Sequence, residues 1–248
     1  MHVSRFPAAS RVGGDRIRRE YAMDDFSVFL ILCGTLLVAI GVLFSSQGYE
    51  HRRREALQAL ATKLGLRYQA GRDYNLLWQY GFLNQLRQGR NRYGFNILKG
   101  VYDDQPVMVF DFHYETFEYG WRGWETKKHY NSFFILFLDR QFPELRIYPE
   151  TLLSKFEDLV GLEDIDFESV EFSKAFTVRS KDKKFAYDIC HTRMMEYLLR
   201  YRRASIEIEQ NCLATCDSQR LGPEDIEMRL KQLIEIRQLF PRYLLDRR

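Results

Sequence analysis

An α+β domain, built on a mostly antiparallel sheet with flanking helices and carried behind an N-terminal transmembrane helix, is the fold class this sequence predicts. Three observations lead there. The run FSVFLILCGTLLVAIGVLF, Phe26 to Phe44, holds no charged residue. From Phe95 onward, apolar residues recur at every second position in segments divided by short turn signals. Those strand-like segments follow one another with short links, and they do not alternate regularly with helices, which favours antiparallel pairing.

The composition agrees with a folded domain. Among 248 residues there are 19 Phe and 15 Tyr, an aromatic load that a disordered chain does not carry. The formal charge of +3 gives no basic footprint spread over the whole surface, so nucleic acid is not an expected partner. Of the four cysteines, Cys33 lies in the apolar run and Cys190, Cys212 and Cys216 follow it. An odd number outside the run, with no repeated spacing, makes a poor disulfide framework and predicts reduced thiols in a cytosolic setting.

Nineteen helical residues at a rise of ~1.5 Å extend about 28 Å, close to the ~30 Å hydrocarbon core of a bilayer. A buried core helix and a cleaved signal peptide are the competing readings. Against the second, Asp24 and Asp25 stand where a signal peptide carries basic residues. The predicted organisation is therefore a tail over 1–25, a transmembrane helix over 26–44, a basic juxtamembrane helix over 45–72 and a soluble α+β domain over 73–248. Met23 offers a second start, in which case 1–22 is not translated and the basic flank is wholly C-terminal to the run. The positive-inside rule then puts the soluble domain on the cytoplasmic face of the plasma (inner) membrane. Arg52, Arg53 and Arg54 follow the run and are candidate ligands for lipid headgroups, or else simply this topology signal.

Within the juxtamembrane stretch, Ala56, Leu57, Leu60, Ala61 and Leu64 share one helical face, and Gly65 is the expected stop. A strand from Phe95 to Tyr102, a turn at Asp103-Asp104 and a strand after Pro106 come next. In the latter, Met108, Phe110, Phe112 and Tyr114 point one way and Asp111, His113 and Glu115 the other. The strand over Lys127 to Leu138 ends in FFILFL, whose unbroken apolarity predicts a central position covered on both faces. A short strand over Leu145 to Tyr148, a helix from Pro149 to Leu159 and a strand over Ala175 to Arg179 follow. Helix is then expected from Asp182 to Arg202 with a break near His191, strand from Ser205 to Leu213, and a final helix that opens at Pro223 and stops before Pro241.

Several residue groups bear on chemistry. The loop EYGWRGWE exposes Trp121 and Trp124 around Arg122. Large aromatics at a loop tip are recognition anchors or sit at a membrane interface, unless they fold back over the sheet as core. Acids gather at Glu157, Asp158, Glu163, Asp164, Asp166 and Glu168, where paired carboxylates serve acid and base chemistry, but the alternation DIDFE also reads as a strand with one wet face. Cys212, Cys216 and the distant His191 fall short of a zinc set, so no metal is expected. His113 and His129 are placed where they could meet across a hairpin. Arg200, Tyr201, Arg202 and Arg203 read as a solvated helix end. There is no phosphate-binding glycine loop and no nucleophile motif, and no cofactor is expected.

Through FPELRIYPETLLSKFEDLVGLEDIDFESVEFSKAFTV, with the Gly65-Leu66 pair, the FDF core at Phe110 to Phe112, Pro149-Glu150, DIDFES and FSKAFTV, the chain resembles a widespread group of bacterial single-pass membrane proteins that carry a domain of unknown function. The resemblance covers roughly residues 65–199. It implies a membrane-anchored bacterial protein, brings no catalytic residue with it, and leaves the tryptophan loop as a departure from the group pattern. Together these readings give a membrane-tethered, non-enzymatic interaction domain on the cytoplasmic face, binding a protein partner or the lipid surface. The alternative is a membrane-anchored hydrolase that uses the acidic segment 157–168.

Overall fold

The structure, a computed structural model, describes residues 25–121, 123–151, 162–202 and 204–245. The chain divides into two compact units, Met1–Arg52 and Arg53–Arg248. A helix, α1 (Asp25–Lys63), begins in the first and ends in the second. In the first unit, Val28, Phe29, Leu30, Ile31, Leu32 and Leu36 are all exposed. Thr35 donates its hydroxyl to the Leu32 carbonyl at 2.9 Å, the back-bonding that lets a threonine sit within an apolar helix. Side chains of the predicted span 26–44 are described only over 28–36, and among the described residues no helix is long and apolar enough to cross a membrane.

The second unit is an α+β domain on one antiparallel sheet. Its strands are β1 (Arg67–Gln69), β2 (Arg90–Tyr102), β3 (Gln105–Gly120), β4 (Gly123–Pro149), β5 (Glu163–Asp164), β6 (Phe176–Ser180) and β7 (Ile206–Asp217). The order is β1-β2-β3-β4-β6-β5, with β7 also paired to β4. The helices are α2 (Asn75–Tyr80), α3 (Val170–Ala175), α4 (Lys183–Ile189), α5 (Thr192–Arg200), α6 (Pro223–Gln238) and α7 (Arg242–Leu245), with a 3-10 turn at Asn84–Arg87.

The expected period-two pattern sorts the sheet into two apolar layers. Met108, Phe110, Phe112 and Tyr114 join Phe133, Ile135, Cys212 and Ala214 under α2 and the 3-10 turn. The other face carries Val107, Val109, Phe134, Leu136, Leu145 and Ile147 and is covered by α1, α3, α4, α5 and α6. Phe133, Phe134, Ile135 and Leu136 are wholly buried, as a run that feeds both layers must be. The turn at Asp103 and Asp104 has both residues at positive φ (50° and 55°), the twist that suits a two-residue hairpin.

Several element boundaries differ from expectation. The separate strands over 127–138 and 145–148 are one long strand, β4, whose register shifts between Phe137, Phe142 and Leu145. Before the bend β4 pairs with β3, after it with β6, and β7 follows it on both stretches. The helix of 45–72 ends at Lys63, and Arg67–Gln69 is already an edge strand of the sheet. Helical periodicity does not reveal that strand because only three residues pair. α3, α2 and the 3-10 turn were not expected; each is too short to show a period, and α3 is marked only by Ser169, whose hydroxyl accepts from the Phe172 amide at 3.3 Å. The break near His191 is present: Cys190 leaves helical geometry and α5 restarts at Thr192. The helix expected after Pro149 lies outside the described residues beyond Thr151.

On α1, Leu57 and Ala61 are buried and Ala56 is exposed, so the predicted stripe is right but narrower. Gly65 closes the helix with φ of 69°, and a Cβ there would meet no atom within 4 Å. The strain of a substitution is then conformational alone. Gly65→Ala should lower stability by about 1 kcal/mol and Gly65→Asn by less, read from the shift in urea midpoint of the purified chain.

Candidate interaction site

β3 and β4 outrun the rest of the sheet. The pairing of β2 with β3 stops at Arg90↔Glu115 and that of β7 with β4 at Ser132↔Asp217, while β3 and β4 continue in register to Gly120↔Gly123. Residues 116–120 and 123–127 therefore form a two-stranded ribbon with no third strand among the described residues. Its faces are chemically distinct, because side chains alternate and paired residues share a face. One face carries Phe117, Tyr119 and Trp124; the other carries Glu118 and Lys127, which pair at 3.1 Å, and Glu125. Tyr119 and Trp124 meet edge to face at 5.5 Å. The Arg90 guanidinium lies over the Phe117 ring, 3.2 Å from its centroid. Trp121 is 88% exposed, Tyr119 75% and Trp124 72%, so the two tryptophans are not folded back as core. Arg122 lies outside the described residues.

At the root of that face sits a buried polar cluster. Asp111 is flanked on β3 by the buried Phe110 and Phe112, and it faces the helix-covered side with 3% of its side chain exposed. Arg53 of α1 approaches with Nη2 at 3.0 Å from Oδ1 and 3.2 Å from Oδ2, and gives its Nη1 to the Leu221 carbonyl at 2.7 Å. Asn96 Nδ2 donates to Oδ2 at 2.9 Å, Ser132 Oγ to Oδ1 at 3.3 Å, and the Arg220 Nε lies 3.4 Å from Oδ2. The Leu221 amide donates to Ser132 Oγ at 3.0 Å, and Tyr68 donates to Asn96 Oδ1 at 2.9 Å. Asn96 reaches the site because it takes φ of 51° where the β2–β3 register shifts, a conformation asparagine tolerates.

This placement corrects one expectation. Arg53 is not a headgroup ligand: it is 5% exposed and its guanidinium is committed to Asp111. Arg52 and Arg54 are exposed. The sequence did hold a signal, since Arg53 precedes Leu57 and Ala61 at four-residue spacing and so lies on their buried stripe.

Further along the same face, His113 is buried between Tyr93 (4.5 Å between centroids) and Tyr130 (4.9 Å), with Arg72 over Tyr93. Burial lowers its pKa, and its Nδ1 has no partner among the described residues. His129 stacks on Tyr114 on the opposite face at 4.6 Å, so the two histidines do not meet. They occupy different registers, His113↔Tyr130 and Tyr114↔His129.

On the second face, beneath the 3-10 turn, Glu207 accepts from the Asn84 amide at 2.7 Å, the Gln85 amide at 3.0 Å and the Tyr148 hydroxyl at 2.5 Å. Burial raises its pKa despite these donors. Glu209, next along β7, is pushed up to about 7, first by burial and then by Glu144. Ser205 to Leu213 reads in sequence as a strand, and alternation puts Glu207 and Glu209 on one of its faces. The 3-10 turn that covers part of that face is what hid Glu207.

The remaining candidates do not assemble into chemistry. Glu163, Asp164, Asp166 and Glu168 are exposed around the buried Ile165, on an edge strand and the loop after it, with Glu163 paired to Lys183 at 2.5 Å. Glu157 and Asp158 lie outside the described residues. Cys212 and Cys216 are buried in the smaller core, and burial pushes the Cys212 thiol up to about 12. No group of three or more His, Cys, Asp or Glu among the described residues could hold a metal ion. Arg202 donates to the Leu199 carbonyl at 3.3 Å and pairs with Glu171 at 2.5 Å; Arg200, Tyr201 and Arg202 are exposed at the end of α5, and Arg203 lies outside the described residues. A groove of about 320 Å³ between the β4 bend, α4 and α7 has its acids engaged, Asp182 as the α4 cap and Asp188 with Lys184.

No family model and no curated protein sequence matches the chain. Among solved structures, the chain is similar to the crystal structure of the mycobacterial trehalose monomycolate transport factor A, with a TM-score of 0.54 and 14% identity over 77% of this chain and 96% of that one. At that identity the likeness extends to the fold alone.

Two outcomes follow from these networks. Asp111→Ala leaves the Arg53 guanidinium buried without its counter-charge and should cost about 3–5 kcal/mol in urea unfolding, while the joint replacement Arg53→Met with Asp111→Leu should restore most of it. Glu209 binds its proton more tightly when folded than its ordinary value of 4.5 allows, so the folded state holds the extra proton between that pH and about 7. Stability should therefore fall as pH rises through that window, and Glu209→Gln should flatten the decline when midpoints are measured at each pH.

Proposed function

We propose that the chain is a membrane-tethered, non-enzymatic interaction domain, held by the 26–44 run of α1 in the inner membrane, with the unit that starts at Arg53 on the cytoplasmic face. The observation that carries this reading is the uncharged run itself. It belongs to a continuous helix, and each of its large apolar side chains that is described is exposed, a stripe that water does not favour and a bilayer does. The exposed Arg52 and Arg54 after it supply the positive flank, and the free thiols of Cys33, Cys190, Cys212 and Cys216 suit a reducing compartment. The aromatic ribbon around Trp121 and Trp124 is the surface through which the domain binds. The resemblance to bacterial single-pass membrane proteins points the same way.

The hydrolase alternative would need the acids of 157–168 to converge in a cleft. Asp164 and Asp166 are splayed on an open surface, which gives it no geometric support.

On a flotation gradient of gently lysed cells, the full chain should travel with membranes and resist carbonate washing, and removal of 26–44 should shift it to the soluble fraction. Equal partitioning with and without the run rules out the tether. A reporter fused after Arg248 should be active only in its cytoplasmic form; activity confined to the opposite side overturns the orientation.

A further inference from the structure

We infer that the β3–β4 ribbon is a second lipid contact: Phe117, Tyr119, Trp121 and Trp124 lie at the headgroup–acyl boundary of a phospholipid bilayer, with Arg90 and Lys128 among the phosphates. The inference rests on the membrane-tethered reading and names what its aromatic surface binds.

Three observations favour lipid over protein as the occupant. The first is side-chain type. The ribbon exposes one Phe, one Tyr and two Trp on one face and its tip, and no exposed Leu, Ile, Val or Met. Tyr and Trp are the residues that concentrate at membrane–water interfaces, where a ring meets the acyl boundary and its polar edge stays hydrated. The second is area. Four such side chains at these exposures offer on the order of 600 Å², less than the ~800 Å² that each partner contributes to a stable protein–protein interface. The ribbon is only two strands wide, and its reverse is charged through Glu118, Glu125 and Lys127, so its apolar surface ends at its own edges.

The third is the position of charge. Lys128 is exposed on the aromatic face, four residues from Trp124, or ~13 Å along the strand. Arg90 holds its guanidinium over Phe117 at the base of the same face. Cations set back from an aromatic tip by that distance reach the phosphate layer with their long side chains while the rings lie at its inner edge. Glu115, paired with Lys128 across the strands, sits at the same level and accepts from Asn91 Nδ2 at 3.0 Å, so a carboxylate already held by a neutral donor is the one acid at that depth on this face among the described residues.

The test uses the full chain in phosphatidylcholine–phosphatidylglycerol vesicles. Trp78, exposed on α2, is replaced in a Trp78→Phe background so that emission comes from Trp121 and Trp124 alone. Vesicles with bromine on the upper acyl carbons should quench that emission by about half or more, and acrylamide access should fall well below that of free N-acetyltryptophanamide. A chain that floats with the vesicles while both tryptophans stay open to acrylamide and unquenched by bromine overturns the ribbon contact and leaves the tether standing. A chain that is quenched and floats equally with and without residues 26–44 does the reverse. Trp121→Ala with Trp124→Ala should leave the thermal midpoint unchanged; a large drop would show that the rings belong to the core, and the inference fails.

Discussion

One buried carboxylate sets the terms for the larger half of this domain. Asp111 draws in four groups from four places: Arg53 from α1, Asn96 from β2, Ser132 from β4, and Arg220 from the segment before α6. Removing a carboxylate from water is expensive, and only a nearly complete set of donors offsets that loss. Two guanidinium groups, an amide and a hydroxyl provide such a set. The α1 helix is thus fixed on the sheet in one register, because sliding it by a turn would strand Arg53 in an apolar layer beside Leu57 and Ala61.

The face that holds Asp111 changes character along β3. Val107 and Val109 lie under helices, Asp111 and His113 are buried among polar and aromatic neighbours, and Phe117 and Tyr119 are open. Alternation is kept throughout, but the neighbours of the strand are lost in steps as β7 and then β2 stop pairing. An isolated two-stranded ribbon is marginal in water, and the cross-strand contacts here, Tyr119 with Trp124 and Glu118 with Lys127, each add a modest increment. The ribbon holds its form through its continuity with the central strands, and its aromatic side chains are left exposed.

Much of the sheet could be read in the sequence. The alternation in VMVFDFHYETF and the unbroken FFILFL fixed the faces and the centre, since period two carries directly into burial. Boundaries failed where pairing is brief or bent. Three residues at Arg67–Gln69 carry no period, and the shift near Phe142 made one strand look like two. The site was legible in part. Trp121 and Trp124 stood out because glycines flank a tip that has no apolar partner in sequence. Asp111 and Glu207 did not, because each looks like the wet member of an alternating pair, and what buries them comes from residues 58 or more positions away in α1, the 3-10 turn and the loop before α6. Single-sequence periodicity reports which side a residue faces and says nothing of what covers that side.

β4 bears on how the chain reaches this state. Its first half is bounded by β3 and β7 and its second by β6 and β7, so Ser132 waits for Asp217 and Ile147 for Ile206. The middle of the sheet keeps an open hydrogen-bonding edge until β7 emerges from the ribosome. Pairings so distant in sequence form slowly, and an open edge flanked by FFILFL is an invitation to association between chains. Synthesis therefore exposes the nascent domain for most of its length, and its yield should depend on how well that edge is shielded before the last strand closes it.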